Sequence, residues 1–410
     1  MGYIDLKYRP GKDDLVTSFY VEPAKGITVK KAAEHIASES SIGTWTDVAT
    51  MKPHIKKLGA KVFFIKGNWI KIAYPSQLFE PGNMSQILSS IAGNIFGMKS
   101  VRNLRLEDVI FPYKLVRSFK GPKFGIQGIR KLLWIRQRPL VGAIIKPKLG
   151  LNESEHAKVA YDAWTGGCDI IKDDENLTNM SFNNFKRRVL LTLRARNLAQ
   201  RETGEYKVYM PNITAETEEM MRRAEFVKQQ GGKYVMVDII TCGWSALQTL
   251  RNYNEKLNLV LHAHRAGHAA LTRNPKQGIS MLVIAKIARL IGIDQLHIGT
   301  IIGKMEGSKS DIQRVRDSLK EKLYNIKQVF PVASGGLHPG HVPALVKLFG
   351  KDIIIQMGGG VHWNKRGTKY GAMGARQAVE AVMQKVSLKE YAKTHLELKE
   401  ALDKFGYPRE

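Results

Sequence analysis

The pattern of this sequence predicts an α/β protein: a smaller α+β domain followed by a closed (β/α)8 barrel. Three observations predict it. From about residue 137, eight apolar runs recur, each followed by a stretch whose apolar residues keep helical spacing. The runs are continuous rather than alternating, as expected of parallel strands covered on both faces. Ionisable and polar residues collect at the C-terminal ends of those runs, the face where such a barrel carries its chemistry.

The elements follow in order. DLVTSFYVEP, KVFFIKGNWIKIAYP and SVRNLRLEDVIFP read as strands, and residues 27–38 and 84–95 as helices. That mixture predicts a small α+β domain. FKGPKFGIQG (119–128) is rich in glycine and proline and reads as a linker, so the domains are expected at 1–122 and 123–410. The barrel strands are LVGAIIKP (140–147), CDIIKDD (168–174), KVYMPNIT (207–214), YVMVDIIT (234–241), LVLHAHRA (259–266), QLHIGT (295–300), VFPVASGG (329–336) and IIIQMGGG (353–360). Residues 153–165, 216–230 and 279–290 are clear intervening helices, and 387–405 reads as a charged helical tail. A doubly wound open sheet is the alternative arrangement. No solenoid-length repeat or low-complexity segment appears.

Composition narrows the function classes. Of 410 residues 43% are hydrophobic, enough for a substantial core, yet no apolar run reaches membrane-spanning length. The start, MGYIDLKYRP, has no apolar signal core, so a cytoplasmic protein is expected. Cys168 and Cys242 lie in apolar runs and read as buried thiols in a reducing compartment. Lys and Arg number 64 against 37 acids, a net +27. That opens nucleic-acid binding or attraction of anionic substrates. The charge is spread along the chain without a tail, which favours a solvated surface with substrate steering over a nucleic-acid partner. Its densest patch, Lys186, Arg187 and Arg188 with Arg194 and Arg196, is expected on a surface helix.

The reactive residues sit at strand ends. Lys146 and Lys148 close the first run, and Lys172, Asp174 and Glu175 the second. Asn212 and Asp238 close the third and fourth; His262, His264 and Arg265 the fifth; His297 the sixth; Ser334 the seventh; Gly358 and Gly359 the eighth. Lys146 and Lys148, two apart on a strand, would share a face and lower each other's pKa, which suits an acid–base lysine. Asp174 and Glu175 look like oxygen ligands for a hard divalent cation. Lys172 shares the face of Asp174, and an ammonium repels a cation. Either it neutralises the acids, or it reacts with CO2 to a carbamate and becomes a third oxygen ligand suited to Mg2+. His264 and Arg265 suit acid–base work and a phosphate clamp. SGGLHPG (334–340) and MGGGVH (357–362) suit a phosphate cradle built from backbone N–H groups. GTIIGKMEG (299–307) spaces three glycines around Lys304, as a hinged lid would.

GAIIKPKLGL, GGCDIIKDDENL, HAHRAGHAA, LHIGTIIGKMEG, PVASGGLHP and IQMGGGVH, with ASESSIGTWTDV and GNIFGMKSVRNLRLED before them, resemble the ribulose-bisphosphate carboxylase/oxygenase (RuBisCO) large subunit, archaeal form III-like. The resemblance covers nearly the whole chain in the same order. It implies a ferredoxin-like N-terminal domain and a Mg2+-dependent carboxylase, with an oxygenase side activity, acting on ribulose 1,5-bisphosphate with CO2 or O2. Lys172 would carry the activating carbamate and complete the Mg2+ site with Asp174 and Glu175. His264, Lys146, Lys148 and Lys304 would serve catalysis, joined by Glu39 and Asn94 from a partner subunit. Arg265, His297 and Ser334 would hold one phosphate, and Thr44, Trp45, Gly336, Gly358 and Gly359 the other, with Gly335 and Gln356 also touching substrate. A homodimer or an assembly of dimers without a small subunit would follow, serving nucleotide salvage or carbon fixation. Two departures stand out: Gly267 where methionine is usual, and WNKRGTKYG (363–371) where relatives carry a His-Pro-type loop. The rival readings are a RuBisCO-like enolase or isomerase of a sulfur-containing sugar phosphate, a nucleic-acid-binding protein and an inactive structural homologue.

Overall fold

Residues 2–44, 46, 48–300, 302 and 309–407 are described in the structure, a computed structural model. The chain forms two compact units. One comprises Met1–Gly121, Gly267–Ile291 and Lys322–Ile326; the other comprises Pro122–Ala266, Gly292–Glu321 and Lys327–Glu410. Contacts thus return two later segments to the first unit. For the sequence itself we retain, as a proposal, a single boundary between 122 and 123.

In the first unit, β1 (Asp14–Pro23), β2 (Lys61–Lys66), β3 (Trp69–Pro75) and β4 (Val101–Ile110) form an antiparallel sheet in the order β4-β1-β3-β2. β1 alternates: Leu15, Thr17, Phe19 and Val21 are buried, because successive side chains point to opposite faces. Thr28 caps the helix Val29–Glu39 by accepting from Lys31 N (3.2 Å), and Asn83 caps Met84–Ile91 by accepting from Gln86 N (3.0 Å).

The second unit carries β5 (Leu140–Ile144), β6 (Ile170–Lys172), β7 (Val208–Met210), β8 (Tyr234–Asp238) and β9 (Val260–His264). The short β10 (Gly278–Ile279) belongs to the first unit. It pairs in parallel with Arg105 and Leu106 of β4, where the Arg105 guanidinium donates to the Thr272 (3.1 Å) and Asn274 (2.5 Å) carbonyls. The sequence reading missed this strand, because two residues show no period. β11 (Gln295–His297), β12 (Phe330–Ser334) and β13 (Ile354–Met357) complete the second sheet. All eight expected barrel strands form, parallel, in the order β7-β6-β5-β13-β12-β11-β9-β8. A bridge between Asn212 and Met236 joins the two ends of that order.

The entry end of this sheet is sealed. Leu140, Ile170, Val208, Tyr234, Val260, Phe330 and Ile354, the first residues of their strands, pack with Ile126, Ile129 and Leu133 of the helix Gly125–Leu133. Asp294 fixes that helix. Its Oδ1 accepts from Phe124 N (2.7 Å) and Gly125 N (2.9 Å), and its Oδ2 from Leu261 N (3.0 Å). With one end filled by hydrocarbon, polar groups are left to the other.

Three expectations are corrected. β5 ends at Ile144, so Lys146 and Lys148 lie in the turn beyond it and strand alternation does not orient them. Cys242 lies past the end of β8 and is only half-buried. The helix Phe185–Thr203 forms where expected, but Arg188 is wholly buried and Arg196 nearly so. A basic run on an amphipathic helix does not say which cation faces inward.

Candidate active site

β6 delivers the central group. Lys172 is its last residue and is 0% exposed. Its Nζ donates to the Asp173 carbonyl at 2.7 Å and lies 3.8 Å from Glu175 Oε2. Burial disfavours the ammonium, and although Glu175 and Asp174 oppose it, the pKa falls below the usual lysine value. Its proton is therefore lost more readily than that of an exposed lysine. Burial raises the Glu175 pKa, but the positive fields of His264 and Lys172 bring it below the ordinary carboxylate value.

The turn after β5 folds over the same place. Lys146 Nζ lies 2.5 Å from Asp174 Oδ2, and Lys148 Nζ donates to Asn176 Oδ1 at 3.3 Å. Both lysines thus reach the loop after β6, although not by sharing a strand. From β9, His264 Nε2 lies 3.6 Å from Glu175 Oε2, and its Nδ1 is 2.7 Å from Asp238 Oδ1. Asn212 Nδ2 donates to the Glu175 carbonyl at 2.9 Å.

A second chain runs alongside. His262 Nε2 and His297 Nε2 are 2.9 Å apart, and His297 Nδ1 is 2.7 Å from Ser334 Oγ. Burial keeps both rings neutral, His262 down to about 3 and His297 well below its ordinary value. Arg265 is 9% exposed, and no carboxylate partners it among the described residues. Burial lowers its pKa to about 10. A buried guanidinium without a counter-ion suits an anion supplied from outside. Gly299 (φ +83°) makes room for it, since a Cβ there would meet Arg265 Nη2 at 2.6 Å.

The two glycine turns end β12 and β13. Gly335 (φ +109°) and Gly336 (φ +69°) occupy the left-handed region that other residues avoid. A Cβ on Gly358 would meet Lys146 Cε at 3.2 Å, so this turn adjoins the lysine. Gln356 is buried, and neither of its amide atoms finds a hydrogen-bond partner among the described residues. Gly359 is exposed.

The second unit therefore brings Lys146, Lys148, Lys172, Asp174, Glu175 and His264 into linked contacts, with Arg265, His297 and Ser334 on neighbouring strand ends. Glu39, Thr44 and Asn94 are exposed on the first unit. Trp45 and Lys304 lie outside the described residues.

Sequence reasoning left one acid of KDDE unassigned. Asp173 is fully buried. Its Oδ1 accepts from Tyr209 Oη (2.7 Å) and lies 3.0 Å from His156 Nε2, and its Oδ2 accepts from Arg188 Nε (3.1 Å) and Asn212 N (3.0 Å). Burial opposes its charge, but Arg188 and His156 outweigh that and hold its carboxyl below the usual range. Four partners leave it no capacity for a metal, so it anchors the loop that carries Asp174 and Glu175. β6 ends at Lys172, so strand alternation does not orient Asp173, and the sequence held no signal for its partners.

The chain matches the family described as "Ribulose bisphosphate carboxylase large chain, N-terminal domain" over residues 2–115 and its "catalytic domain" over 125–405. The ribulose bisphosphate carboxylase of Pyrococcus furiosus is 51% identical, across 99% of this chain and 98% of the relative. That of Methanosarcina mazei is 49% identical, across 98% of each. Among solved structures, an octameric Rubisco from Pyrococcus horikoshii, in complex with sulfate, superposes with a TM-score of 0.95 at 50% identity, covering 98% of this chain and 96% of that one. A dimeric Rubisco from Hyperthermus butylicus gives 0.94 at 44%, covering 99% of both.

Proposed function

The chain belongs to the ribulose bisphosphate carboxylase large-chain family, and from that premise we propose that it carboxylates ribulose 1,5-bisphosphate to two 3-phosphoglycerates, with oxygenation as a side reaction. The observation that carries the reading is Lys172: wholly buried at the end of β6 and set beside the carboxylates of Asp174 and Glu175.

The donor set fits a carbamate and Mg2+. Among the described residues no group of three or more His, Cys, Asp or Glu side chains could hold a metal. Asp174 and Glu175 would provide two oxygen ligands, and Lys172, once carbamylated, would provide a third. Its neutral Nζ adds to the carbon of CO2, an N–C bond forms, and a proton leaves, giving an anion with oxygen donors. Mg2+, when bound, supplies positive charge for the substrate oxygens. Asp174 would hold the metal in place of its present partner, the Lys146 ammonium.

The protein's own groups do the rest. The Lys172 carbamate takes the proton from carbon 3 of the substrate. His264, oriented by Asp238, relays protons at the hydrated intermediate. Lys304 stabilises the new carboxylate. Lys146, released from Asp174, protonates the final carbanion, with Lys148 tuning it. Arg265, His297 and Ser334 hold one phosphate; Thr44, Trp45, Gly336, Gly358 and Gly359 hold the other, with Gly335 and Gln356 beside it. Glu39 and Asn94 complete the pocket from a partner subunit. The octameric and dimeric solved relatives support a homo-oligomer.

The test is to incubate the protein with CO2 and Mg2+, add ribulose 1,5-bisphosphate, and follow labelled CO2 into 3-phosphoglycerate. Incorporation that needs the preincubation and is lost in Lys172→Ala is expected. No incorporation by the folded wild type, across temperature and without oxygen, overturns the reading and redirects attention to enolase substrates.

A further inference from the structure

The segment after the second glycine turn, 363–367, is tied to the C-terminal helix. Asn364 donates from Nδ2 to Glu400 Oε2 at 2.9 Å, and Arg366 Nη2 reaches the same oxygen at 2.7 Å. Glu400 lies on the C-terminal helix Leu396–Phe405. At the end of that helix, the Phe405 ring meets both turns. It stacks on His338, from the turn after β12, at 4.9 Å and 16°, and meets Trp363, after β13, edge-on at 5.3 Å and 81°.

The backbones interlock as well. A Cβ on Gly360 would meet the Leu337 carbonyl oxygen at 2.2 Å, and one on Gly340 would meet that of Gly406 at 2.9 Å. The two glycine turns and the end of the C-terminal helix therefore abut with no room for a methyl group. The contact also carries a cost. Among the described residues His338 Nδ1, His341 Nδ1 and Trp363 Nε1 are buried without hydrogen-bond partners. Buried unpaired polar atoms destabilise, so this cluster is an expensive way merely to dock a helix.

We propose that the C-terminal helix is a positioning element for the anion site of the two glycine turns, with Phe405 setting their spacing and Glu400 locking the second turn. The inference rests on the reading that these turns hold a phosphate of the substrate. Backbone N–H groups grip an oxyanion only at fixed separations, and glycine-rich turns do not fix themselves. Phe405 packs against His338 and Trp363, on the segments that follow β12 and β13.

The test compares the wild type with Phe405→Ala, Phe405→Leu and Glu400→Gln. It measures kcat, KM for ribulose 1,5-bisphosphate, the Kd of inorganic phosphate, and Tm. In Phe405→Ala, KM and the phosphate Kd are expected to rise about five- to tenfold while kcat stays within about twofold, the signature of lost binding geometry rather than lost chemistry. Phe405→Leu, which keeps apolar volume, restores most of the affinity, and Glu400→Gln lies between. A lowered Tm with KM and phosphate Kd unchanged overturns the proposal. If Phe405→Ala fails to fold, unchanged values in both milder variants overturn it equally. A wild type that carboxylates with a KM insensitive to these changes sinks this inference alone. A wild type that binds phosphate, weakens in Phe405→Ala and fixes no CO2 upholds it while the carboxylase reading fails.

Discussion

At the scale of single residues, the KDDE run (172–175) at the end of β6 divides labour among four charged side chains by direction. Lys172, Asp174 and Glu175 gather on one side, while Asp173 turns outward onto Tyr209, Arg188 and Asn212. The two acids proposed as metal ligands and the lysine were legible because their chemistry conflicts on paper. The anchor was not, because its partners come from segments far apart in sequence, and Arg188 is hidden in a run of similar cations. Burial also fixes how histidines respond to acid. His262 titrates near 3 and His362 near 4 in the folded chain, against an ordinary 6.5. Between those values the unfolded chain binds more protons than the folded one, so stability falls as pH drops from about 6.5 toward 4. Tm measured across that range is expected to decline. His362→Gln keeps a donor for the Ile144 carbonyl, which His362 Nε2 meets at 2.9 Å, and does not titrate, so its decline is expected to be shallower. An identical slope in the variant would refute the assignment.

At the scale of elements, the barrel works because its two ends differ. The helix Gly125–Leu133 closes one end with apolar side chains, and Ile129 is fully buried there. Ile129→Ala is expected to cost about 2–5 kcal/mol of stability, read from urea unfolding, by opening a cavity among the first residues of seven strands. Because that layer lies at the opposite end of the strands from Lys172, KM and kcat of the remaining folded enzyme should hold; a selective loss of kcat would contradict the separation. The strands were legible as continuous apolar runs. Their ends were not: hydropathy runs past the last ladder residue, so Lys146 and Lys148 looked like strand residues. β10 was invisible for the converse reason, being held by Arg105 and its carbonyl partners rather than by any pattern of its own.

At the scale of the whole molecule, the net +27 stays a surface property. The buried cations Arg188 and Lys207 have acid partners, whereas Arg265 has none among the described residues. Surface pairs such as Lys158–Asp162 add little to stability. On the proposed reading the excess charge would favour the approach of a bisphosphate, an attraction that added salt weakens. The collection of reactive groups at one end of eight strands was the most legible feature of the sequence, since no folding requirement puts them there. How Glu39 and Asn94 would join them was not legible in residues of one chain, because the proposed pocket is completed by a partner.

The central claim is that the Lys172 amine becomes a metal ligand as its carbamate, and carbon-13 NMR tests it most directly. The protein is equilibrated with labelled CO2 and Mg2+, and a carbamate carbon is sought in the wild type and in Lys172→Ala. One carbamate per chain, dependent on Mg2+ and absent from the variant, is the predicted result. A wild type that fixes CO2 with no carbamate carbon, or one whose signal survives in Lys172→Ala, would contradict it.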